Sequence, residues 1–496
     1  MSYSHLSLKI TKELNTDTKK NEGIFFTPPE IVSIMIDYVK SAFQGQLPSK
    51  ILEPSFGSGE ILTRLIDSFP NSEISAVEKN KGIYENVLSE LKQNENVNYI
   101  NGDFLEYEGD GFDLIIGNPP YFVLEKGLYG EYDNYFSGRP NIFGMFIIHS
   151  LKKLNKGGVL SFIIPNSFFN CSYYKGIREY IYKNYRILDI IDCGNAGFIE
   201  TDQKTNIIYI MSSNENPANT DFCFMFEDKY ILNTKENISK MKDIQKNSTT
   251  LKEMGFSVFN GNLVWNQEKD CLTNDMNDTQ LIYSSDITEN KLKELNKEYI
   301  DNVWDGYEEK LKVDPSQKSI ESKISKKHYI NTDKLFRKHV LPRMVKHLEK
   351  TLIEEEKLKQ LTGSKYLKQQ KKIDHMKSKE FEEKEIQYGP LLIINRGYGN
   401  ADYNLNYAIV DIDGGYYLEN HVLGIKYSPL LRDPSRASAG ASSSSIPVYS
   451  REELLFHYKN IIKSFQDKRT MSFLESCMGN NAVNTNELEK LLPIFS

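Results

Sequence analysis

The chain predicts an α/β fold over residues 1–215: a mostly parallel, Rossmann-like sheet with an antiparallel last strand, followed by an α+β region over 216–496. Three observations predict it. Short apolar runs alternate with helical patterns from Lys50 onward, the mark of strand–helix–strand units stacked on one sheet. A glycine turn, Gly57-Ser58-Gly59, joins the first strand to the first helix of that series. The rhythm is lost beyond Asn214-Glu215-Asn216-Pro217, so a second domain begins there.

The elements follow in order. Lys50 to Glu53 is a strand, and Glu60 to Ser68 the helix after the glycine turn. Ile74 to Val77 is the next strand, with a polar helix over Asn80 to Gln93. Val97 to Ile100, Phe112 to Gly117, Gly158 to Pro165 and Ile187 to Cys193 continue the strands, with helices starting at Ile142 and near Tyr173 between them. Thr205 to Ser212 follows so closely on its predecessor that it is expected to be antiparallel.

Composition bounds the function. At 496 residues, 39 % hydrophobic and 26 % charged, the chain has material for two or three globular domains. A net charge of −7 argues against coating nucleic acid through bulk charge but leaves room for a local basic face. Residues 308–385 supply such a face, with 21 Lys and Arg against 14 Asp and Glu. This stretch reads either as a solvated helical hairpin or as a surface for phosphates. Leu391 to Arg396, Tyr407 to Asp411 and Tyr416 to Glu419 then read as strands of a small β-unit, Asp433 to Pro447 as a flexible loop, and two helices close the chain. The five cysteines (Cys171, Cys193, Cys223, Cys271 and Cys477) are scattered without a Cys-x-x-Cys pair. Neither a disulfide framework nor a zinc cluster is expected, and a reducing compartment is. With no apolar leader at the start and no apolar run longer than a strand, a soluble cytoplasmic protein is expected, with no membrane partner.

The chemistry gathers at strand ends. Asp113-Leu114-Ile115-Ile116-Gly117-Asn118-Pro119-Pro120-Tyr121 is an apolar strand ending in a stiff turn. That turn holds Asn118 and Tyr121 at the carboxyl edge of the sheet, where open α/β folds bind ligands. Upstream, the glycine turn allows close backbone approach to a ligand, although Leu62 stands where a dinucleotide fingerprint wants its third small residue. Glu78 follows the second strand, placed for ribose hydroxyls. Asp103-Phe104 follows the third, a carboxylate and a ring suited to an adenine. Four successive strand ends thus carry Gly-x-Gly, Glu, Asp-Phe and Asn-Pro-Pro-Tyr.

With these motifs the sequence resembles the S-adenosylmethionine-dependent amino-methyltransferases, specifically the gamma class of DNA adenine-N6 methyltransferases. The order of that class is a Thr-Pro-Pro segment, the cofactor motifs, the catalytic motif and a C-terminal target-recognition domain. Phe26-Thr27-Pro28-Pro29 matches the first segment, and specific motifs cover residues 21 to about 212. The resemblance implies that Thr27 holds the methionine carboxylate, that Glu53 and the Gly57–Gly59 turn floor the methionine side, and that Glu78 binds the ribose. It implies that Asp103 takes the adenine amine, with Phe104 and Phe146 packing the ring; for Phe146 a core position is the other reading. Asn118, Pro119, Pro120 and Tyr121 would be catalytic, with Tyr121 and Phe198 stacking a flipped-out target base. Ile199 departs from the small residue or proline that many relatives carry after that second aromatic. The implied partner is double-stranded DNA, within a restriction–modification setting and without a metal. A monomer would suffice.

Arg396, Tyr398, Asn400 and Asn404 lie in loops of the β-unit, with side chains suited to base edges; the other reading of Arg396-Gly397-Tyr398-Gly399-Asn400 is a plain turn. Lys365, Lys368, Lys371 and Lys372 are suited to phosphates. The alternatives are cytosine-N4, an RNA base or a protein glutamine as substrate, or a non-catalytic DNA-binding relative.

Overall fold

A run such as Leu114-Ile115-Ile116 is apolar at every position because a central parallel strand is covered on both faces and turns neither to water. The computed structural model describes residues 3–91, 94–124, 130–138, 141–194, 198, 204–213, 219–292, 327–396, 405–428, 449–477 and 483–495. Within it, β1 (Lys50–Glu53), β2 (Glu73–Glu78), β3 (Val97–Asn101), β4 (Phe112–Gly117), β5 (Leu154–Pro165), β6 (Arg186–Asp192) and β7 (Thr205–Met211) form a seven-stranded sheet in the order β3-β2-β1-β4-β5-β7-β6. β1 to β5 run parallel, and β7 is antiparallel to both β5 and β6. Strand alternation splits the core in two. Leu114 and Ile116 face one side, packing with α1 (His5–Glu13), α3 (Pro29–Ala42), α4 (Glu60–Ser68) and α5 (Lys81–Glu90). Ile115 faces the other, packing with α6 (Ile142–Lys153) and α7 (Lys175–Asn184). All three are fully buried, each worth about 1.5–3 kcal/mol of apolar transfer.

Asparagines start the helices that border the site. Asn80 caps α5 by accepting from the Ile83 amide, and Asn15 caps α2 (Thr16–Glu22) by accepting from Thr18. Because β1 has β2 on one side and β4 on the other, the chain leaves its carboxyl end in opposite directions. A crevice opens at that switch point.

Composition placed the domain boundary at 215, whereas the packing places it after residue 247: one unit comprises Met1–Asn247 with Ser472–Asn480, the other Ser248–Met471 with Asn481–Ser496. The reason is a hairpin, β8 (Cys223–Phe226) and β9 (Lys229–Leu232), whose Cys223, Tyr230 and Leu232 join the core beneath α6 and α7. Arg178 of α7, 1 % exposed, donates to the carbonyls of Tyr230, Phe168 and Cys171. Burial pulls its guanidinium down to about 10.

The second unit holds a four-stranded antiparallel sheet in the order 256–260, 422–427, 391–395, 407–410. A five-stranded sheet includes 279–282 and 415–418. The charged stretch forms a helical hairpin, Leu341–Leu358 and Gly363–Lys377. The loop expected at 433–447 lies outside the described residues.

Candidate active site

Four strand ends deliver their residues to one crevice. After β1 the chain passes Gly57 and Gly59, both at positive φ (+54° and +82°), which a side chain would strain. The Gly57 amide donates to Glu78 Oε2 at 3.0 Å, and the Asn80 amide to Glu78 Oε1 at 2.7 Å, so two backbone donors fix the carboxylate at the end of β2. Burial raises the Glu78 carboxyl above its usual range, and these two bonds oppose the rise. After β3, Asp103 accepts from the Leu105 amide at 2.9 Å and from Lys79 Nζ at 2.8 Å. Phe104 packs on Phe146 of α6 with ring centroids 4.9 Å apart.

After β4, Asn118 Nδ2 donates to the Phe25 carbonyl at 2.9 Å and reaches Thr27 Oγ1 at 3.3 Å. A carbonyl can only accept, so the amide nitrogen must face Phe25, which turns Oδ1 to the opposite side. Oδ1 accepts from the Tyr121 hydroxyl at 2.7 Å; the same hydroxyl lies 2.9 Å from the Ile163 carbonyl. One phenolic hydrogen therefore serves two acceptors.

These elements enclose a cavity of about 530 Å³. Of the expected residues, Thr27, Glu53, Gly57, Glu78, Asp103, Phe104, Asn118, Pro120 and Phe146 line it. Four do not. Gly59 faces α5, where a Cβ would meet Leu91 and Val87. Pro119 is not in the wall. Tyr121 is 8 % exposed, its ring among Phe25 and Phe143, and the neighbouring Phe122 lines the cavity in its place. Phe198 is buried in the opposite core, with Ile207 and Tyr209. Sequence patterns alone do not single out Glu22, Phe25, Lys79 and Asn80, all of which are in the wall. Position directly after a strand-end acid is the signal that could have flagged Lys79 and Asn80. No local signal marks Glu22, which is brought in by the chain's return.

Glu53 is 1 % exposed and its Oε2 has no hydrogen-bond partner among the described residues. Burial, with the Glu78 charge beside it, pushes its carboxyl well above the usual range. A buried acid short of a donor, in the wall of a cavity, could receive one from a ligand. This set of acceptors could hold S-adenosylmethionine, with Glu53 toward a cationic amino-acid end, Glu78 toward a ribose diol, and Asp103 toward an adenine amine beside the rings of Phe104 and Phe146.

The residues expected to meet DNA lie in the second unit. Lys365, Lys368 and Lys371 are exposed along the second helix of the hairpin, while Lys372 is paired with Glu354 at 2.5 Å. Lys357 and Lys372 hold the Glu354 carboxyl down at about 2. Arg396 is half-buried, its amide bonded to the His421 carbonyl at 3.0 Å; Tyr398, Asn400 and Asn404 lie outside the described residues. A cluster with metal-ligand atoms, Glu268, Asp270 and Cys271, is already engaged by side chains: Lys338 lies 2.5 Å from Asp270 and His339 2.8 Å from Glu268. Among the described residues no helix is long and apolar enough to cross a membrane.

The strand order, the antiparallel β7 and the acidic crevice at the β1/β4 switch define the S-adenosylmethionine-dependent methyltransferase fold. Residues 9–198 match the family described as Eco57I restriction-modification methylase. Modification methylase CviBIII of Paramecium bursaria Chlorella virus NC1A is 33 % identical over 216 residues, covering 42 % of this chain and 55 % of that protein. Type II methyltransferase M.AccI of Acinetobacter calcoaceticus is 27 % identical over 250 residues, covering 48 % of this chain and 43 % of the relative. This chain thus spans about half the length of the curated relatives it matches. The methyltransferase subunit of a type I restriction-modification system from Streptococcus thermophilus aligns over 46 % of this chain and 54 % of its own, at 20 % identity and a TM-score of 0.32.

Proposed function

We propose that this chain is a site-specific DNA methyltransferase that transfers a methyl group from S-adenosylmethionine to the N6 amine of adenine. The orientation of Asn118 carries the reading. The adenine amine is a weak nucleophile because its lone pair is spread into the ring. An acceptor on each amine hydrogen draws that lone pair out of the ring plane. Asn118 Oδ1, which keeps a second lone pair beside the one that accepts from Tyr121, is the first acceptor, its amide held by the bond from Nδ2 to Phe25. The Pro119 carbonyl is assigned as the second, although Pro119 is not in the cavity wall. The bound cofactor supplies a sulfonium methyl as electrophile. The protein contributes position and electrostatics: Glu78, Asp103 and Glu53 fix one reactant, and Asn118 aims the other.

The amine is out of reach inside a duplex, so the target base must leave the stack. The exposed lysines of the hairpin are suited to the phosphates of the duplex, independent of sequence, and Arg396 to base edges.

The test is transfer of labelled methyl from S-adenosylmethionine to duplex DNA, RNA and protein, followed by nucleoside analysis. N6-methyladenine at one sequence in duplex DNA is the expected product. N4-methylcytosine, or label in RNA or protein alone, would overturn the assignment, and no transfer at all would leave a binding protein.

A further inference from the structure

The cavity has two ends, and residues 22–27 touch both. This short segment joins α2 to α3 and reaches the ribose-side carboxylate through side chains: Glu22 Oε2 accepts from Asn80 Nδ2 at 2.7 Å, and the Asn80 amide donates to Glu78 at 2.7 Å. It reaches the Asn-Pro-Pro-Tyr turn through its backbone. The Gly23 carbonyl accepts from the Tyr121 amide at 3.3 Å, and the Phe25 carbonyl from Asn118 Nδ2 at 2.9 Å. The segment lies hard against that turn. A Cβ on Gly23 would stand 2.5 Å from the Tyr121 nitrogen, and Gly23 is at φ +63°, so only glycine serves there. A continuous path along hydrogen bonds and backbone therefore runs Glu78–Asn80–Glu22–Gly23–Phe25–Asn118.

We propose that this segment is a positioning strap that couples occupation of the ribose end of the cavity to the aim of Asn118, with Glu22 as its latch. The inference rests on the cofactor assignment above and adds a role that assignment does not need. A ligand drawing on Glu78 acts on the carboxylate that fixes Asn80, and Asn80 is the latch's partner. Holding the strap in register keeps the Phe25 and Gly23 carbonyls in the bonds they already make to the turn. The energy is that of a charge-assisted hydrogen bond in an exposed pair, enough to bias a short segment and too little to decide the fold. Glu22 is exposed, so its replacement leaves the core untouched.

The experiment is hydrogen exchange on the full chain with and without S-adenosylhomocysteine, for the unaltered protein, Glu22→Ala and Glu22→Gln. In the unaltered protein the ligand should slow exchange both at 78–83 and at 118–124, the latter by about tenfold. Compared at equal saturation with S-adenosylhomocysteine, Glu22→Ala should keep the protection at 78–83, yet lose most of that at 118–124. Glu22→Gln, which keeps an acceptor for Asn80, should restore it. Protection at 118–124 that persists in Glu22→Ala would mean direct shielding by the ligand and would overturn the strap. Failure of the unaltered protein to bind S-adenosylhomocysteine would instead overturn the cofactor assignment, and the strap with it.

Discussion

Asn118 Nδ2 lies 2.9 Å from the Phe25 carbonyl oxygen, a bond between residues 93 apart in the chain. It decides which way the amide faces: Nδ2 toward Phe25 and Thr27, Oδ1 toward the Tyr121 hydroxyl. It also explains why an asparagine, with both a donor and an acceptor, suits this position.

Asn118→Ala should reduce methyl transfer by at least about a thousandfold while S-adenosylhomocysteine affinity, measured by calorimetry, stays within a few-fold. Asn118→Asp should also lose activity. Its second carboxylate oxygen would stand against the Phe25 carbonyl, acceptor facing acceptor. An active Asp variant would show that the Phe25 bond does not set the aim.

Glu78→Ala should weaken S-adenosylhomocysteine binding by about 1.5–3 kcal/mol, the usual worth of hydrogen bonds to a charged group. Unchanged calorimetric affinity would remove Glu78 from the ribose site.

Tyr121 separates two roles. Stacking on a flipped base predicts that Tyr121→Ala loses more activity on duplex DNA than on DNA whose target base is unpaired. The buried ring predicts in addition a loss of about 3–5 kcal/mol in denaturant unfolding, as for other large aromatics cut back to alanine. Tyr121→Phe keeps the packing and should restore most of the stability. Equal activity losses on both DNAs, tracking the stability loss, would assign Tyr121 to support of the loop alone.

Glu53 should make stability depend on pH. Its folded carboxyl titrates above the unfolded value of about 4.3, so the folded state binds the extra proton. That contribution is fully present below the unfolded value and is lost as pH rises through the folded one. Glu53→Gln, neutral at every pH, should therefore gain thermal stability over the unaltered ligand-free protein, and the gain should grow with pH above about 4.3. A constant difference from pH 5 to 8 would mean that Glu53 is ionised throughout.

Replacing Lys365, Lys368 and Lys371 together by Ala should weaken binding to all DNA sequences and lower the salt slope by about one for each phosphate no longer engaged. Lys372→Ala should do less, because its charge is already spent on Glu354. Arg396→Ala should relax sequence preference with little change in salt slope. Equal loss on all sequences would place Arg396 on a phosphate.

The sequence by itself determined the sheet and the strand-end acids. Strand-sized apolar runs and glycine turns act within a few residues, so Phe112–Gly117 and Glu60–Ser68 stand where the pattern puts them. Glu78, Asp103 and Asn118 could be read because each stands at or directly after a strand whose carboxyl end faces the crevice. Tertiary structure decided what depends on the chain's return. The hairpin 223–232 reads as the start of a new domain until Arg178 is seen holding the Tyr230 carbonyl. Tyr121 and Phe198 both read as base-stacking aromatics, yet they fall into separate cores on opposite faces of the sheet. Glu22 carries no motif, and only the path that brings it to Asn80, across 58 residues, gives it a place in the site. Local patterns reflect local energies; an aromatic ring or a carboxylate is indifferent to its use until packing chooses its neighbours.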